Sequence, residues 1–399
     1  MIEPKPREET AQRVRAAFTE TYGNAPAGVW HAPGRANLMG EHTDYNDGLV
    51  LPVALPWGVT LALTPTDDDT VEVRSAQYPQ EPVTFTPSTL TADPPTVTNW
   101  GGYVAGVWWS LRHAGHLPAT GAGARVYLDS DVPAGAALSS SAALECATAL
   151  ALAQTFDPTG LAQDRQTMAR LAQRAENDFV GAPSGILDQS ASLRCQADHA
   201  LFLDCRSLGA RNVTLPLAQA GLRLLVINTK VTHRIADTDG GYAQRRRECE
   251  EAARILDVAA LRDVSDLDAA LEHLTDPVLR RRVRHVVTEI HRVNAAVGLL
   301  RANAVADLGA LFNASHLSLR DHFEVSCPEL DLAVEAACAG GARGARMTGG
   351  GFGGSAVALV AHDRIDDVCA AIAAAFADRG WTLPEVGVAT PADAARQVL

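Results

Sequence analysis

Apolar residues recur along the chain with two different periods, which predict the segments that are helices and those that are strands. Over residues 9–22 the apolar side chains lie three or four positions apart, which predicts an amphipathic opening helix. Val59, Leu61 and Leu63 alternate with polar or small residues, a pattern typical of a half-buried strand. We therefore expect residues 28–130 to be mostly strands.

The other predicted elements fall into two halves of similar make-up. Further strands are predicted at residues 125–128, 222–227, 355–361 and 386–389. Helices are predicted at residues 100–113, 140–154, 161–179, 328–339 and 365–378 and over most of 242–323. Strands precede helices in each half without strict alternation, which favours an α+β fold. A polar turn region near residues 208–212 divides the chain into predicted domains 1–210 and 211–399.

Length, charge and cysteine usage limit the class of protein. The 399 residues are enough for two or three domains of about 150 residues each. The formal net charge is −13 and no Lys/Arg-rich arm is present, so we expect no binding to nucleic acid. No stretch approaches the ~18 consecutive apolar residues of a membrane helix, so no membrane partner is expected. The seven cysteines are scattered without a C-x-x-C pair, which favours a cytoplasmic protein with reduced thiols.

Lysine is rare in this chain, and its rarity restricts how a nucleotide is bound. Lys5 and Lys230 are the only lysines, and neither lies in a Walker-type or protein-kinase motif. Both of those sites need a lysine on the phosphates. If the protein uses ATP, backbone amides, Mg²⁺ and arginine must take the place of that lysine.

Two segments rich in small residues have the composition of ligand-binding loops. Residues 133–142 (PAGAALSSSA) follow a strand and open a helix, so the unpaired N–H groups of the first turn form an anion site suited to the phosphates of ATP. A serine N-cap on a buried helix would give a similar sequence. Residues 346–355 (RMTGGGFGGS) favour close backbone packing against a ligand or another loop, with a flexible hairpin as the alternative.

A third segment is crowded with polar side chains between two apolar stretches. Residues 33–46 (PGRANLMGEHTDYN) place Glu41, His42 and Asp44 close together. A surface loop has a similar composition, but convergent donors and acceptors of this kind are typical of polyol recognition.

Together with two further segments, these stretches resemble one enzyme family. Residues 34–46 closely resemble the amino-terminal signature of the galactokinases. Residues 133–142 and 349–354 resemble the phosphate-binding and third motifs of the wider GHMP kinase superfamily. Residues 242–249 (YAQRRREC) and 315–331 also resemble galactokinases in particular. Five matches in the family's order make the resemblance specific.

The resemblance implies a fold and a reaction. The fold would have two α+β lobes with the active site between them, the first like ribosomal protein S5 domain 2 and the second like the GHMP carboxy-terminal domain. The reaction would convert ATP and α-D-galactose into ADP and galactose 1-phosphate. The alternatives are a sister kinase for N-acetylgalactosamine or arabinose and, less favoured because the serine run is complete, a non-catalytic sensor of galactose and ATP. We expect a monomer or a weak oligomer.

The resemblance also implies the residues that carry the reaction. Asp188, in the segment GILDQ, would face the sugar 1-hydroxyl, and Arg35 would keep that carboxylate ionised and offset charge on the transferred phosphoryl group. Whether Asp188 removes the proton or chiefly orients the hydroxyl is left open. Glu176 would bind Mg²⁺ together with Ser141, or with Ser140 as the alternative.

The remaining implied contacts surround the sugar and the phosphates. The sugar contacts would be Glu41, His42, Asp44, Gly185 and Tyr242. The nucleotide contacts would be Gly135, Ala136, Ala137, Leu138, Ser139, Ser140 and Ser141. The chain departs from the family pattern at Ala137, where the family usually has glycine, and at Ala136, where it often has glycine. We expect the methyl group of Ala137 to crowd the phosphate loop or to hold φ negative there, without abolishing nucleotide binding.

Overall fold

The computed structural model describes residues 2–133, 135–157, 159–231 and 241–399, so Ala134 of the predicted phosphate loop lies outside the described part. The α-helices in this part are α1 (Arg7–Tyr22), α2 (Gly102–His113), α3 (Ser140–Phe156), α4 (Arg165–Arg174), α5 (Leu187–Arg194), α6 (Gly241–Ile255), α7 (Leu267–His273), α8 (Pro277–Arg301), α9 (Leu308–Ser318), α10 (Pro328–Ala339) and α11 (Ile365–Asp378). The strands are β1 (Gly28–Asn37), β2 (Leu49–Val50), β3 (Pro52–Pro65), β4 (Val71–Ser75), β5 (Val83–Phe85), β6 (Ala124–Ser130), β7 (His199–Asp204), β8 (Ala210–Thr214), β9 (Leu222–Asn228), β10 (Gly344–Thr348), β11 (Ser355–Ala361), β12 (Glu385–Ala389) and β13 (Arg396–Gln397).

The strands form three sheets, and the helices pack mainly on the two larger ones, although α8 also contacts β2 and β8 of the small sheet. A six-stranded sheet has the order β13-β1-β3-β6-β4-β5, in which only β4 and β6 are parallel. A four-stranded antiparallel sheet has the order β10-β11-β9-β12. A small sheet of β2, β7 and β8 completes the described architecture. The predicted α+β class is confirmed.

Two large apolar clusters fill the interior. In the first, Leu61 and Val126 of the six-stranded sheet pack with Trp108 of α2 and Leu150 of α3. In the second, residues of the four-stranded sheet pack with α8, α10 and α11. The second cluster also includes Val53, Leu55 and Trp57 of β3, so it extends from the four-stranded sheet to the six-stranded sheet.

Most predicted elements are present, and the differences are local. The helix predicted at 161–179 begins at Arg165, because the side chain of Asp164 caps it by accepting a hydrogen bond from the Thr167 N–H at 3.0 Å. It ends in a π-helical turn, Ala175–Val180. Helix α5 and strands β7, β8, β10 and β13 were not predicted from the sequence.

The division between residues 210 and 211 stays a prediction. The hairpin of β7 and β8 lies across that point in the chain. The two outermost described segments are also exchanged between the sheets. Ile2 pairs with Gly387 beside the four-stranded sheet, whereas β13 pairs with β1 in the six-stranded sheet. Within the described residues, no helix combines the length and the apolarity needed to cross a lipid bilayer.

Candidate active site

Asp188 and Arg35 lie together where α5 begins beside β1. A bulge in β1 between Pro33 and Arg35 shifts the register there. Nε and Nη2 of Arg35 donate to the two carboxylate oxygens of Asp188 at 2.7 and 2.8 Å, a bidentate ion pair. The hydroxyl of Ser139 also donates to Oδ2 of Asp188, at 2.5 Å. The carboxylate therefore has three donors, and its side chain keeps 23% of its surface exposed for a reacting group.

The phosphate loop adopts a strained conformation that glycines of the third motif accommodate. Ala137 has φ 56°, so the expectation that its methyl group holds φ negative is wrong. The methyl group fits because Gly349 and Gly354 lie against it. A Cβ built on Gly354 would lie 2.6 Å from the Cβ of Ala137, and one on Gly349 would lie 2.8 Å from its carbonyl oxygen. The two glycine-rich segments are thus packed against each other.

A cleft of about 410 Å³ opens along these two segments. Its wall contains all seven residues predicted to bind the nucleotide, together with the ion pair of Arg35 and Asp188. The first turn of α3 begins at Ser140, and the Ser139 hydroxyl binds Asp188 instead of capping it. Its first N–H groups therefore lack intrahelical partners, as an anion site requires.

Glu176 lies on the π-helical turn and lines the same cleft. Its Oε1 accepts a hydrogen bond from the Ser141 hydroxyl at 2.8 Å. Its Oε2 accepts from the Ser184 hydroxyl and from Nε2 of Gln189. Burial and the charge of Asp188 raise the pKa of Glu176, and the hydrogen bonds that its carboxylate accepts only partly oppose this shift.

The donor set at Glu176 consists of oxygen atoms, which suits Mg²⁺. In the described residues, no group of three or more His, Cys, Asp or Glu side chains is arranged to hold a metal ion. One carboxylate and one hydroxyl are compatible with Mg²⁺, since this ion keeps phosphate and water oxygens as its other ligands. Of the two predicted hydroxyls, that of Ser141 contacts Glu176.

Four of the five predicted sugar contacts cluster beside Asp188, with His42 and Gly185 buried and Asp44 and Tyr242 half-buried. The rings of His42 and Tyr242 lie 5.4 Å apart. Asp44 lies against Gly185, where an added Cβ would be 1.8 Å from Oδ2 of Asp44. Burial and then the charge of Asp188 raise the pKa of Asp44 to about 7. Burial lowers the pKa of His42 to about 3, so this imidazole is neutral near pH 7.

The fifth predicted sugar contact, Glu41, is occupied by bonds within the protein. Its Oε1 accepts from the Gly349 N–H at 2.7 Å and from the Thr348 hydroxyl at 3.0 Å. Its Oε2 accepts from Nδ2 of Asn37 at 2.8 Å. Glu41 therefore ties the predicted sugar segment to the third motif.

Three residues at the site, Tyr103, Ser184 and Gln189, were not predicted from the sequence. Ser184 and Gln189 donate hydrogen bonds to Glu176, and Tyr103 lines the cleft. Ser184 directly precedes the GILDQ segment and Gln189 is its last residue, but no spacing rule links either of them to Glu176.

Comparisons with known proteins agree with the motif order. The model described as the galactokinase galactose-binding signature matches residues 16–65. The GHMP kinase N-terminal and C-terminal domain models match residues 102–196 and 296–378. A galactokinase of Streptomyces coelicolor is 49% identical over 395 residues, which are 98% of this chain and all of the relative. This chain belongs to the galactokinase family.

Other relatives and solved structures extend the likeness. A galactokinase of Chloroflexus aggregans is 44% identical over 378 residues, which cover 93% of each chain. The crystal structure of Lactococcus lactis galactokinase complexed with galactose matches with a TM-score of 0.89 and 30% identity, covering 98% of this chain and all of the other. Methanococcus jannaschii mevalonate kinase, at 14% identity and a TM-score of 0.60 over 92% of this chain and 98% of its own, shares the fold. The predicted galactokinase resemblance and the two-lobed GHMP kinase fold are confirmed.

Proposed function

We propose that the protein transfers the γ-phosphoryl group of ATP to the 1-hydroxyl of α-D-galactose, forming galactose 1-phosphate. The observation that carries this proposal is the position of Asp188. Its side chain lines the phosphate-loop cleft, and its charge acts on Asp44 of the sugar cluster. A hydroxyl held at Asp188 is therefore next to both a sugar site and a phosphate site, which phosphoryl transfer requires.

In the proposed reaction, Asp188 accepts a hydrogen bond from the sugar 1-hydroxyl. This bond directs the hydroxyl oxygen toward the γ-phosphorus. Arg35 holds both oxygens of Asp188, so the acceptor cannot rotate away. Nη1 of Arg35 also donates to the carbonyl of Ala137 at 2.9 Å, which fixes the guanidinium to the phosphate loop. Its positive charge at the junction offsets the negative charge that develops during transfer.

We assign the sugar to Asp44, His42, Gly185 and Tyr242, with Glu41 shaping the segment that carries them. Asp44 accepts from vicinal hydroxyls when it is ionised, and its carboxylate fits where it does because Gly185 has no Cβ. Tyr242 offers a ring face and a hydroxyl to the sugar.

We assign the phosphates to residues 135–141 and Mg²⁺ to Ser141 and Glu176. When bound, Mg²⁺ neutralises charge on the β- and γ-phosphates. The cytoplasmic location and the monomeric or weakly oligomeric state stay predictions.

The proposal is tested by measuring ADP release with galactose, N-acetylgalactosamine, arabinose and glucose as acceptors. We expect turnover with galactose, and loss of most turnover in Asp188→Asn and Arg35→Ala while the circular dichroism spectrum is kept. Wild-type turnover in Asp188→Asn would remove the catalytic assignment. Preferred turnover of N-acetylgalactosamine or arabinose would replace the substrate, and ligand binding without any turnover would identify a sensor.

A further inference from the structure

A buried carboxyl group lies close to the active site and has no part in the proposed transfer. Glu145 is on α3, one helical turn after Ser141, and its side chain is completely buried. Buried polar groups nearly always have hydrogen-bond partners, and a buried carboxyl without them is costly. The position of Glu145 therefore requires an explanation.

Gln189 connects Glu145 to Glu176. Its Nε2 donates to Oε2 of Glu145 at 3.0 Å and to Oε2 of Glu176 at 2.8 Å. Gln189 is itself completely buried, and it directly follows Asp188 on α5. Both hydrogens of one side-chain amide are thus used to join two carboxyl groups.

Two oxygen atoms in this chain of contacts lack a donor. Oε1 of Glu145 and Oε1 of Gln189 are buried without a hydrogen-bond partner among the described residues. An ionised carboxylate and an amide oxygen are both acceptors, so neither satisfies the other. A neutral carboxyl group has one O–H to donate. The side chains of Glu145 and Gln189 already face each other, because Nε2 of Gln189 donates to Oε2 of Glu145. Burial, and then the charge of Glu176, hold the pKa of Glu145 well above its usual range.

We propose that Glu145 and Gln189 are positioning residues for the metal site. Glu145 is a neutral acid that orients the side-chain amide of Gln189. Gln189 in turn orients the carboxylate of Glu176. This inference rests on the proposed function, because it takes Glu176 as a ligand of Mg²⁺. The O–H of Glu145 donates to Oε1 of Gln189 and closes a paired acid–amide contact. The amide then has one orientation, with its second N–H directed at Glu176.

The contact between Glu145 and Gln189 determines which carboxylate oxygen of Glu176 is free to bind a cation. Gln189 and Ser184 both donate to Oε2. Among the described residues, the donor to Oε1 is the hydroxyl of Ser141, which is the other proposed ligand. A carboxylate whose second oxygen is held in this way does not need to be reoriented when Mg²⁺ binds, which favours affinity.

The test compares four variants of the full chain. Glu145→Gln keeps a donor and an acceptor and reproduces the pairing with Gln189. Glu145→Leu removes both, and Gln189→Met removes the amide at similar length. The matched control is Thr148→Val, because Thr148 is buried on the same helix and its hydroxyl donates to the carbonyl of Leu144.

The main readout is the affinity for Mg²⁺ in the presence of saturating ADP, measured by calorimetry, with galactose affinity and thermal unfolding measured beside it. We expect Glu145→Leu and Gln189→Met to bind Mg²⁺ about 10-fold to 100-fold more weakly, the loss typical when a group that orients a metal ligand is removed. Glu145→Gln and Thr148→Val should match the wild type, and galactose affinity should stay unchanged throughout. If Glu145→Leu does not fold, Gln189→Met carries the test.

Three results would overturn the inference. One is wild-type Mg²⁺ affinity in both Glu145→Leu and Gln189→Met. The second is a loss in Glu145→Gln as large as in Glu145→Leu, which would show that a charged carboxylate is required. The third is an equal loss of galactose affinity, which would indicate general disruption. The assignment of Glu176 as a ligand of Mg²⁺ is tested separately with Glu176→Gln. If this variant binds Mg²⁺ as tightly as the wild type, that assignment is wrong.

Discussion

Asp188 receives its three hydrogen bonds from residues that lie far away in the chain. Arg35 is 153 positions from it and Ser139 is 49 positions from it. The family resemblance predicted the pairing with Arg35 but assigned Ser139 to the nucleotide. The hydroxyl of Ser139 reaches Asp188 because its backbone is left-handed, with φ 59°. A serine seldom adopts this strained conformation, and residue type alone does not reveal it.

We expect Ser139→Ala to lower kcat about tenfold, since a hydrogen bond to a charged group contributes about 1.5–3 kcal/mol. The KM for galactose should change less, because the sugar cluster is not altered. Steady-state kinetics with galactose and ATP measure both. Ser139→Gly removes the hydroxyl but relieves the strain, so an equal loss in both variants assigns the effect to the hydroxyl. An unchanged kcat with a raised KM for ATP would assign Ser139 to the nucleotide alone.

Among the elements, those with strong apolar periodicity were predictable and those that depend on distant partners were not. The helices at 328–339 and 365–378 were predicted at the bounds found. Strand β10 was missed because it is short, begins with glycine and carries Arg346, which is fully buried. An arginine in a central position argues against a buried strand until its partners, Glu41 and Glu289, are known.

The packing of Gly354 on Ala137 predicts that the phosphate loop and the third motif are energetically coupled. Gly354→Ala should lower kcat/KM for ATP about tenfold, because overpacking typically costs about 1–3 kcal/mol. Adding Ala137→Gly should restore part of that loss, since it removes the methyl group that the new Cβ would meet.

The matched control for this prediction is Gly380→Ala. Gly380 also has a positive φ, 67°, but an added Cβ there meets no atom within 4 Å. It should lower stability by the left-handed strain of about 1–2 kcal/mol without changing the kinetics. Additive effects of Gly354→Ala and Ala137→Gly would contradict the proposed coupling.

A buried charge cluster joins the two halves of the molecule behind the sugar segment. Arg346 lies 3.7 Å from Glu41 and 3.8 Å from Glu289, and all three side chains are buried. Glu289 on α8 also accepts from the Gly40 N–H at 3.0 Å. Burial acts to raise the pKa of Glu289, but Arg346, His285 and Arg292 outweigh it and hold that pKa at about 2.

Glu289→Gln should lower the free energy of unfolding at pH 7 by about 3 kcal/mol, because it leaves a buried guanidinium with less compensation. The wild-type contribution is present above the ordinary glutamate pKa and is lost as the pH falls from about 4.5 toward 2. Urea unfolding at pH 7 and pH 3.5 should therefore show a smaller difference between variant and wild type at the lower pH.

The control is Glu251→Gln, since Glu251 is paired with Arg254 at the surface and should have little effect at either pH. An equal difference between Glu289→Gln and the wild type at both pH values would contradict the assignment.

At the scale of the molecule, the sequence predicted the family, the fold class and the residues lining the cleft, because each motif is a short local signal. It did not predict how those signals are connected. Gln189 binds a residue 13 positions away and Thr348 binds one 307 positions away. Contacts of this kind depend on how the sheets are placed, which no local pattern encodes.

The exchange of Ile2 and β13 between the two sheets has a practical consequence. The amino-terminal Ile2 pairs with β12 of the four-stranded sheet, and the carboxy-terminal β13 pairs with β1 of the six-stranded sheet. Severing the chain between the halves would leave each fragment holding a piece of its counterpart, so we expect the fragments to regain activity only when mixed. A fluorescent label attached beside Ile2 would therefore report on the carboxy-terminal lobe, because Ile2 pairs with Gly387 there.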